Sequence, residues 1–137
     1  MSYQQQIFIN LPVKDLNKSV AFFTALGYKF NPQFTDETAT CMIISDTIYA
    51  MLLTHPKFSG FAPHPIADAH KTTEVIIALN CSDRAAVDAL VDKAIANGGT
   101  KYKEAEDLGF MYNRAYQDLD GHVWEVFHMD MSQFPQQ

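Results

Sequence analysis

The sequence contains few of the residues that mark nucleic-acid-binding or membrane proteins. Of its 137 residues, only 10 are lysine or arginine and 16 are aspartate or glutamate, so the formal net charge is −6. Nucleic acids and anionic membranes are bound through basic surfaces, which such a chain lacks. No apolar run approaches the ~20 residues of a membrane-spanning helix. We therefore expect neither nucleic acid nor a membrane as a partner.

Cysteine is scarce, and the N-terminus does not resemble a secretion signal. The two cysteines, Cys41 and Cys81, each lie within an apolar run, which favours buried thiols, although a disulfide between them is also compatible with the spacing. The first six residues lack the basic and apolar regions of a secretory signal. Together these features predict a cytoplasmic protein.

Several well-known catalytic signatures are missing as well. The sequence has no H-E-x-x-H zinc motif, no glycine-rich phosphate loop, no G-x-S-x-G and no C-x-x-C. Its five histidines do not cluster along the chain. Any chemistry must therefore come from residues that the fold brings together.

The sequence does contain an order of elements that begins with a clear strand pattern. Apolar and other residues alternate over Ile7–Val13, which predicts a strand with one aliphatic face. Asp15 is a candidate N-cap for a helix that ends at Gly27. Three strand-like runs follow, at 28–34, 38–45 and 47–54.

The same order then repeats after an aperiodic connection, 55–71, that is rich in proline and histidine. A strand at 72–80 leads to a helix capped by Ser82 or Asp83 and ended by Gly98 and Gly99. Strand-like runs follow at 100–106, 111–117 and 122–127, with an Asp-Gly turn at 118–121. The sequence thus predicts one α+β domain over 1–137, built from two βαβββ modules at 5–54 and 72–130.

Two motifs resemble a known superfamily. They are Asn10-Leu11-Pro12-Val13-Lys14-Asp15-Leu16 near the start and Asp118-Leu119-Asp120-Gly121-His122-Val123-Trp124-Glu125 near the end. In this order and separation they resemble the vicinal-oxygen-chelate superfamily of glyoxalases, bleomycin-resistance proteins and ring-cleavage dioxygenases. Within it, the chain is most similar to a group described as predicted lactoylglutathione lyases. The resemblance implies a cupped eight-strand mixed sheet around a cavity, and a homodimer.

The resemblance also implies four metal ligands, one on the first and one on the last strand of each module. The matching positions are Phe8, Met51, Ile76 and Glu125, of which only Glu125 suits a hard divalent cation. A bound divalent metal is therefore disfavoured, and no cofactor is predicted. A register shifted by two residues would instead bring Asn10 and Glu74 to Glu125, as an unusual oxygen site.

Glu125 is the candidate catalytic residue. The predicted ligand-binding residues are Phe8, Asn10, Met51, Glu74, Ile76, Tyr112, Arg114 and Phe127. Arg114 either holds a substrate carboxylate or forms a salt bridge with Glu74, Glu104 or Glu125. Tyr112 either donates to a ligand or packs its ring, and Asn10 faces the interior by strand parity and needs a partner.

Three functions remain open at this point. The first is a metal-independent protein that binds a small organic molecule in its cavity. The alternative is a glyoxalase-like lyase with Glu125 as general base, with or without a divalent metal. The third is an interaction protein whose cavity is filled by side chains, which the bulky Phe8 favours. Phe58 and Phe61, on the connection, either cover the cavity mouth or pack between subunits.

Overall fold

The computed structural model describes residues 3–134. In both halves of the chain a strand is followed by a helix and then by further strands. The chain divides between Ala67 and Asp68 into two compact units, each with its own mixed sheet. The predicted α+β class and the repeated order of elements are confirmed. Each unit is described separately below.

The first unit contains the elements predicted for module one, with shorter second and third strands. Its elements are β1 (Ile7–Val13), α1 (Leu16–Ala25), β2 (Lys29–Asn31), β3 (Ala39–Ile43) and β4 (Ile48–Thr54). The sheet order is β1-β4-β3-β2, with β1 parallel to β4 and the other pairs antiparallel. The Asp15 side chain accepts a hydrogen bond from the backbone N–H of Lys18, as expected for the N-cap of α1.

One face of this sheet packs against α1. Five side chains on that face are almost completely buried: Leu11, Val13, Met42, Ala50 and Leu52. Because side chains alternate along a strand, the residues between them point to the opposite side, here called the distal face. The register places Phe8 beside Tyr49, and Asn10 beside Met51, on the distal face.

The second unit repeats this plan. Its elements are β5 (Ile76–Asn80), α3 (Arg84–Ala96), β6 (Thr100–Lys101), β7 (Glu106–Asp107), β8 (Met111–Gln117) and β9 (Val123–Met129). The short helix α2 (His55–Ser59) lies between β4 and β5 in the chain and belongs to the first unit. The sheet order is β5-β9-β8-β6, and β7 also pairs with β8. Asp83 caps α3 by accepting from the backbone N–H of Ala86. The face towards α3 buries Tyr116, Trp124 and Val126 completely.

The predicted Asp-Gly turn before β9 is held by a buried carboxylate. One oxygen of Asp118 accepts from the backbone N–H groups of Asp120 and His122, at 2.9 and 3.1 Å. The other accepts from the indole N–H of Trp124 at 2.9 Å. Burial raises the pKa of the Asp118 carboxyl, and His122 and these hydrogen bonds oppose that rise. The turn and the core beneath it are therefore joined by one side chain.

Two segments differ from the sequence prediction. The single strand expected at 100–106 is two short strands, β6 and β7, because the chain leaves the edge of β8 at 102–105 and returns to it. The second unit therefore has five strands instead of four. The connection at 55–71 was expected to be irregular, but it begins with α2, which starts with proline in its first turn.

Neither predicted buried thiol is in a disulfide, and Cys41 is buried whereas Cys81 is only partly so. Over residues 3–134 no helix has the length and hydrophobicity needed to cross a membrane.

A matched pair of glycine substitutions tests how the chain before β5 packs on the turn before β9. Gly109 and Gly121 both have φ of +84°, but only at Gly121 would a Cβ lie 2.7 Å from the backbone nitrogen of His70. We expect Gly109→Ala to cost about 1–2 kcal/mol of unfolding free energy from backbone strain. Gly121→Ala should cost roughly 1–3 kcal/mol more from the backbone clash. Equal losses in urea denaturation would contradict this packing.

Candidate functional site

Most of the predicted site residues lie on the distal faces of the two sheets. In the first unit these are Phe8, Asn10 and Met51. In the second unit the register aligns Ile76 with Val123 and Ala78 with Glu125, and Phe127 shares their face. Phe8 and Ile76 are 48% and 50% exposed although both are large and apolar. An exposed apolar side chain on such a face is available to contact a ligand or a partner.

A cavity of about 490 Å³ lies on the distal face of the first unit. Its lining residues are Asn10, Leu53, Phe58, Phe61 and Ala62. Helix α2 and the residues after it place Phe58 and Phe61 in the lining of this cavity. Its walls are aromatic and aliphatic with a single amide, which is typical of sites for small organic molecules.

The amide in this cavity belongs to Asn10. Its Nδ2 donates to the backbone carbonyl of Phe8 at 3.3 Å, two residues earlier on the same strand. This bond holds the amide by its nitrogen and leaves the oxygen able to accept from a ligand. Beside it, the Phe8 ring stacks on Tyr49 with centroids 4.8 Å apart and planes 11° apart. The distal face of the first unit is thus aromatic around one polar group.

Glu125 lies on the distal face of the second unit next to a lysine. Its Oε2 is 3.2 Å from the Nζ of Lys103, and Lys103 is also 3.2 Å from Glu106 Oε1. The hydrogen bonds to Glu106 and Glu125 raise the pKa of Lys103. The Glu125 side chain is only 20% exposed, so its carboxylate is partly removed from water and compensated by an ammonium.

Lys103 is not among the site residues predicted from the sequence. Lys103 lies in the 102–105 segment that had been predicted as strand, and no motif connects it with Glu106 or Glu125. The only sequence signal is the opposite charge of Lys103 and Glu106 three residues apart, which is common on protein surfaces. The contact with Glu125 depends on the break between β6 and β7.

Tyr112 and Arg114 lie on the opposite side of β8 from Glu125. The Tyr112 hydroxyl donates to Asp88 at 2.6 Å, and Arg114 Nη1 contacts both Asp88 and Asp92 at 3.0 Å. The salt bridge considered for Arg114 therefore exists, but its partners are acidic residues of α3 and not Glu74, Glu104 or Glu125. Hydrogen bonds from Tyr112 and Arg114 lower the pKa of Asp88.

Glu74 precedes β5 and contacts a buried histidine. Its Oε1 is 2.9 Å from Nδ1 of His122, whose side chain is 3% exposed. The parity of His122 is opposite to that of Glu125, and its burial agrees with a structural role. Glu74 therefore helps to attach the segment before β5 to the start of β9.

Comparisons with known proteins agree with this architecture. A family model described as bleomycin resistance protein-like N-terminal matches residues 5–45. A hypothetical protein from S. aureus is 29% identical, with 93% of this chain and 95% of that chain covered and a TM-score of 0.77. The chain has the vicinal-oxygen-chelate fold. No curated protein matches it.

Two further solved structures share the fold at lower identity. A glyoxalase/bleomycin resistance protein/dioxygenase family enzyme from Burkholderia phytofirmans PsJN is 16% identical, covering 92% of this chain and 99% of its own, with a TM-score of 0.76. A fosfomycin resistance protein from Listeria monocytogenes is 18% identical, covering 96% and 98%, with a TM-score of 0.68. The resemblance predicted from the two sequence motifs is confirmed at the level of the superfamily fold.

The residues at the four positions implied by the superfamily do not fit a hard divalent metal. The register pairs Met51 with Asn10 and Glu125 with Ala78, so each pair contains at most one oxygen donor. Glu125 already contacts the Lys103 ammonium. Among residues 3–134, no three His, Cys, Asp or Glu side chains lie together as a metal site would require.

The repeat also shows which residues the two-residue shift considered for a metal site would bring next to Glu125. Asn10 lies five residues before the N-cap Asp15, and Ala78 lies five before the N-cap Asp83, so these two positions are equivalent in the repeat. The two-residue shift therefore brings Asn10 and Ala78 to the site, and not Glu74. It supplies no additional carboxylate.

The contact between Lys103 and Glu125 is testable by titration. Replacing Glu125 by glutamine should lower the Lys103 pKa, because one of the two carboxylates that stabilise the ammonium is lost. Glu104→Gln is the matched control, since Glu104 pairs with Lys101. An NMR pH titration of the lysine side chains measures both effects. A Lys103 pKa that is the same in Glu125→Gln and in the unmodified protein would contradict the contact.

Proposed function

We propose that the protein binds a small organic molecule through side chains on the distal faces of its sheets, without a divalent metal. The observation that carries the proposal is the cavity in the first unit, lined by four apolar side chains and the Asn10 amide. Its volume suits a molecule with one or two rings. Binding there would bury apolar surface, and the amide oxygen would select a ligand with a hydrogen-bond donor.

The proposal includes a cytoplasmic homodimer. The exposed apolar residues Ile7, Phe8 and Ile76 on the edge strands β1 and β5 support an association between copies of the chain. The acidic composition, with a formal net charge of −6, supports a small molecule over a nucleic acid as ligand.

The alternative is a glyoxalase-like lyase in which Glu125 removes a proton next to a carbonyl group. Its position on the distal face, only 20% exposed, favours this candidate. The ion pair with Lys103 counts against it, because the carboxylate already contacts an ammonium group of the protein itself. A Glu125→Gln variant separates the two functions. Binding alone predicts that ligand affinity survives the substitution, whereas the lyase predicts that turnover of the methylglyoxal–glutathione hemithioacetal is lost.

Indole is a suitable neutral probe for the cavity in the first unit. Phe61→Ala should weaken indole binding roughly tenfold, because an aromatic wall of the cavity is removed. Phe34→Ala is the matched control. Both phenylalanines are exposed, at 70% and 59%, but Phe34 is not part of the lining. Calorimetric or NMR titration measures the affinities. Equal affinities in the two variants, or no indole binding to the unmodified protein, would contradict the proposal.

A further inference from the structure

A second cavity, of about 380 Å³, lies in the second unit at the first turn of α3. Its lining includes Phe110, His128 and three charged side chains, those of Asp83, Arg84 and Asp130. Along β9 the parity of His128 is opposite to that of Glu125 and Phe127, so His128 does not belong to the distal face. The cavity is therefore separate from the surfaces to which the proposed function is assigned.

The charged side chains of this cavity already have partners within the protein. Arg84 donates two hydrogen bonds to the Asp107 carboxylate, at 2.7 and 2.9 Å. Asp83 caps α3 through its Oδ1. Asp130 accepts from the backbone N–H and the hydroxyl of Ser132, at 3.0 and 2.6 Å. Since these charges are compensated, the cavity favours a neutral ligand, and the two carboxylates in its lining disfavour an anion.

One ring nitrogen of His128 remains unbound. Its Nδ1 lies 3.2 Å from the backbone carbonyl oxygen of Cys81. Because a carbonyl oxygen can only accept, Nδ1 carries the hydrogen, and Nε2 of the neutral ring is then an acceptor. Within residues 3–134 Nε2 has no hydrogen-bond partner, and the side chain is only partly buried. The backbone thus sets the tautomer and leaves Nε2 available to a ligand in the cavity.

Phe110 supplies an aromatic wall on a neighbouring segment. Its ring packs edge-on against Phe134, with centroids 4.7 Å apart and planes at 76°. Its backbone carbonyl accepts from the N–H of Asp130 at 2.6 Å, which ties the Phe110 segment to the end of β9, where His128 lies. An aromatic ring and an imidazole acceptor therefore line one cavity, and aromatic rings pack favourably against each other.

We propose that this cavity binds a neutral aromatic molecule with a hydroxyl group on its ring, a phenol. The ligand ring packs on Phe110, and the hydroxyl donates to Nε2 of His128. A phenol titrates near pH 10, so it is neutral at pH 7 and needs no counter-charge from the lining. An aromatic ether of the same size packs equally well but leaves Nε2 without a donor.

The test uses two isomeric probes, 4-methylphenol and anisole, added to the full-length protein. They contain the same atoms, but only the phenol carries a hydrogen on its oxygen. NMR titration followed at the backbone amide of Phe110 reports binding in this cavity. The phenol should bind roughly tenfold more tightly than anisole, because it adds one hydrogen bond. Benzoate, an anion with a ring of the same size, should bind most weakly.

One variant and one control connect this preference with the imidazole. In His128→Asn the side-chain amide can still donate to the Cys81 carbonyl, but no acceptor remains at the position of Nε2. It should weaken 4-methylphenol binding roughly tenfold and leave anisole binding unchanged. His64→Asn is the matched control, since His64 is exposed and lies outside the lining. If His128→Asn fails to fold, the comparison of the two isomers in the unmodified protein decides.

Four results would overturn the proposal. Equal affinities for the two isomers, or no shift at Phe110, would show that the cavity does not select a hydroxyl. Equal losses for both probes in His128→Asn would show that Nε2 does not accept from the ligand. Tightest binding by benzoate would identify Arg84 as the recognising group. Indole binding in the first unit, followed at the amide of Ala62, is unaffected by these results, so the two proposals fail separately.

Discussion

Each unit of this protein depends on a single long helix that packs on one face of its sheet. The faces that α1 and α3 cover contain fully buried residues, including Leu52 in the first unit and Trp124 in the second. Because side chains alternate along a strand, this packing assigns every second strand residue to the distal face. The proposed function is assigned to residues on the distal faces, and a shift of one residue would exchange the two sets.

The two distal faces offer different chemistry. The first unit presents aromatic and aliphatic side chains around the Asn10 amide, in a cavity that Phe58 and Phe61 also line. The second presents the Lys103 ammonium between the carboxylates of Glu106 and Glu125. A divalent ion in a complete metal site would polarise substrate oxygens. The positions at which the superfamily resemblance implies ligands carry apolar groups and one compensated carboxylate here, so the proposed recognition depends on the side chains themselves.

Much of the fold could be predicted from the sequence because its signals are local. The alternation in β1, the capping residues Asp15 and Asp83 and the Asp-Gly turn each depend on neighbouring residues only. The superfamily resemblance implied that Ile76 and Glu125 belong to one site, and the register places them on one face. Contacts between distant segments were not predictable. The acidic partners of Arg114 lie on α3, and no sequence pattern predicts which residues of that helix contact β8. Lys103 reaches Glu125 only because β6 and β7 are separated by a bend.

Metal content is the most direct test of the central claim that this fold binds its ligand through side chains instead of a metal. Protein purified without chelator would be incubated with nickel, zinc, manganese or iron(II), desalted and analysed by mass spectrometry for metal per chain. The account predicts close to no retained metal in every case. Stoichiometric metal that is lost in a Glu125→Ala variant would contradict it, because Glu125 would then coordinate an ion and not the Lys103 ammonium.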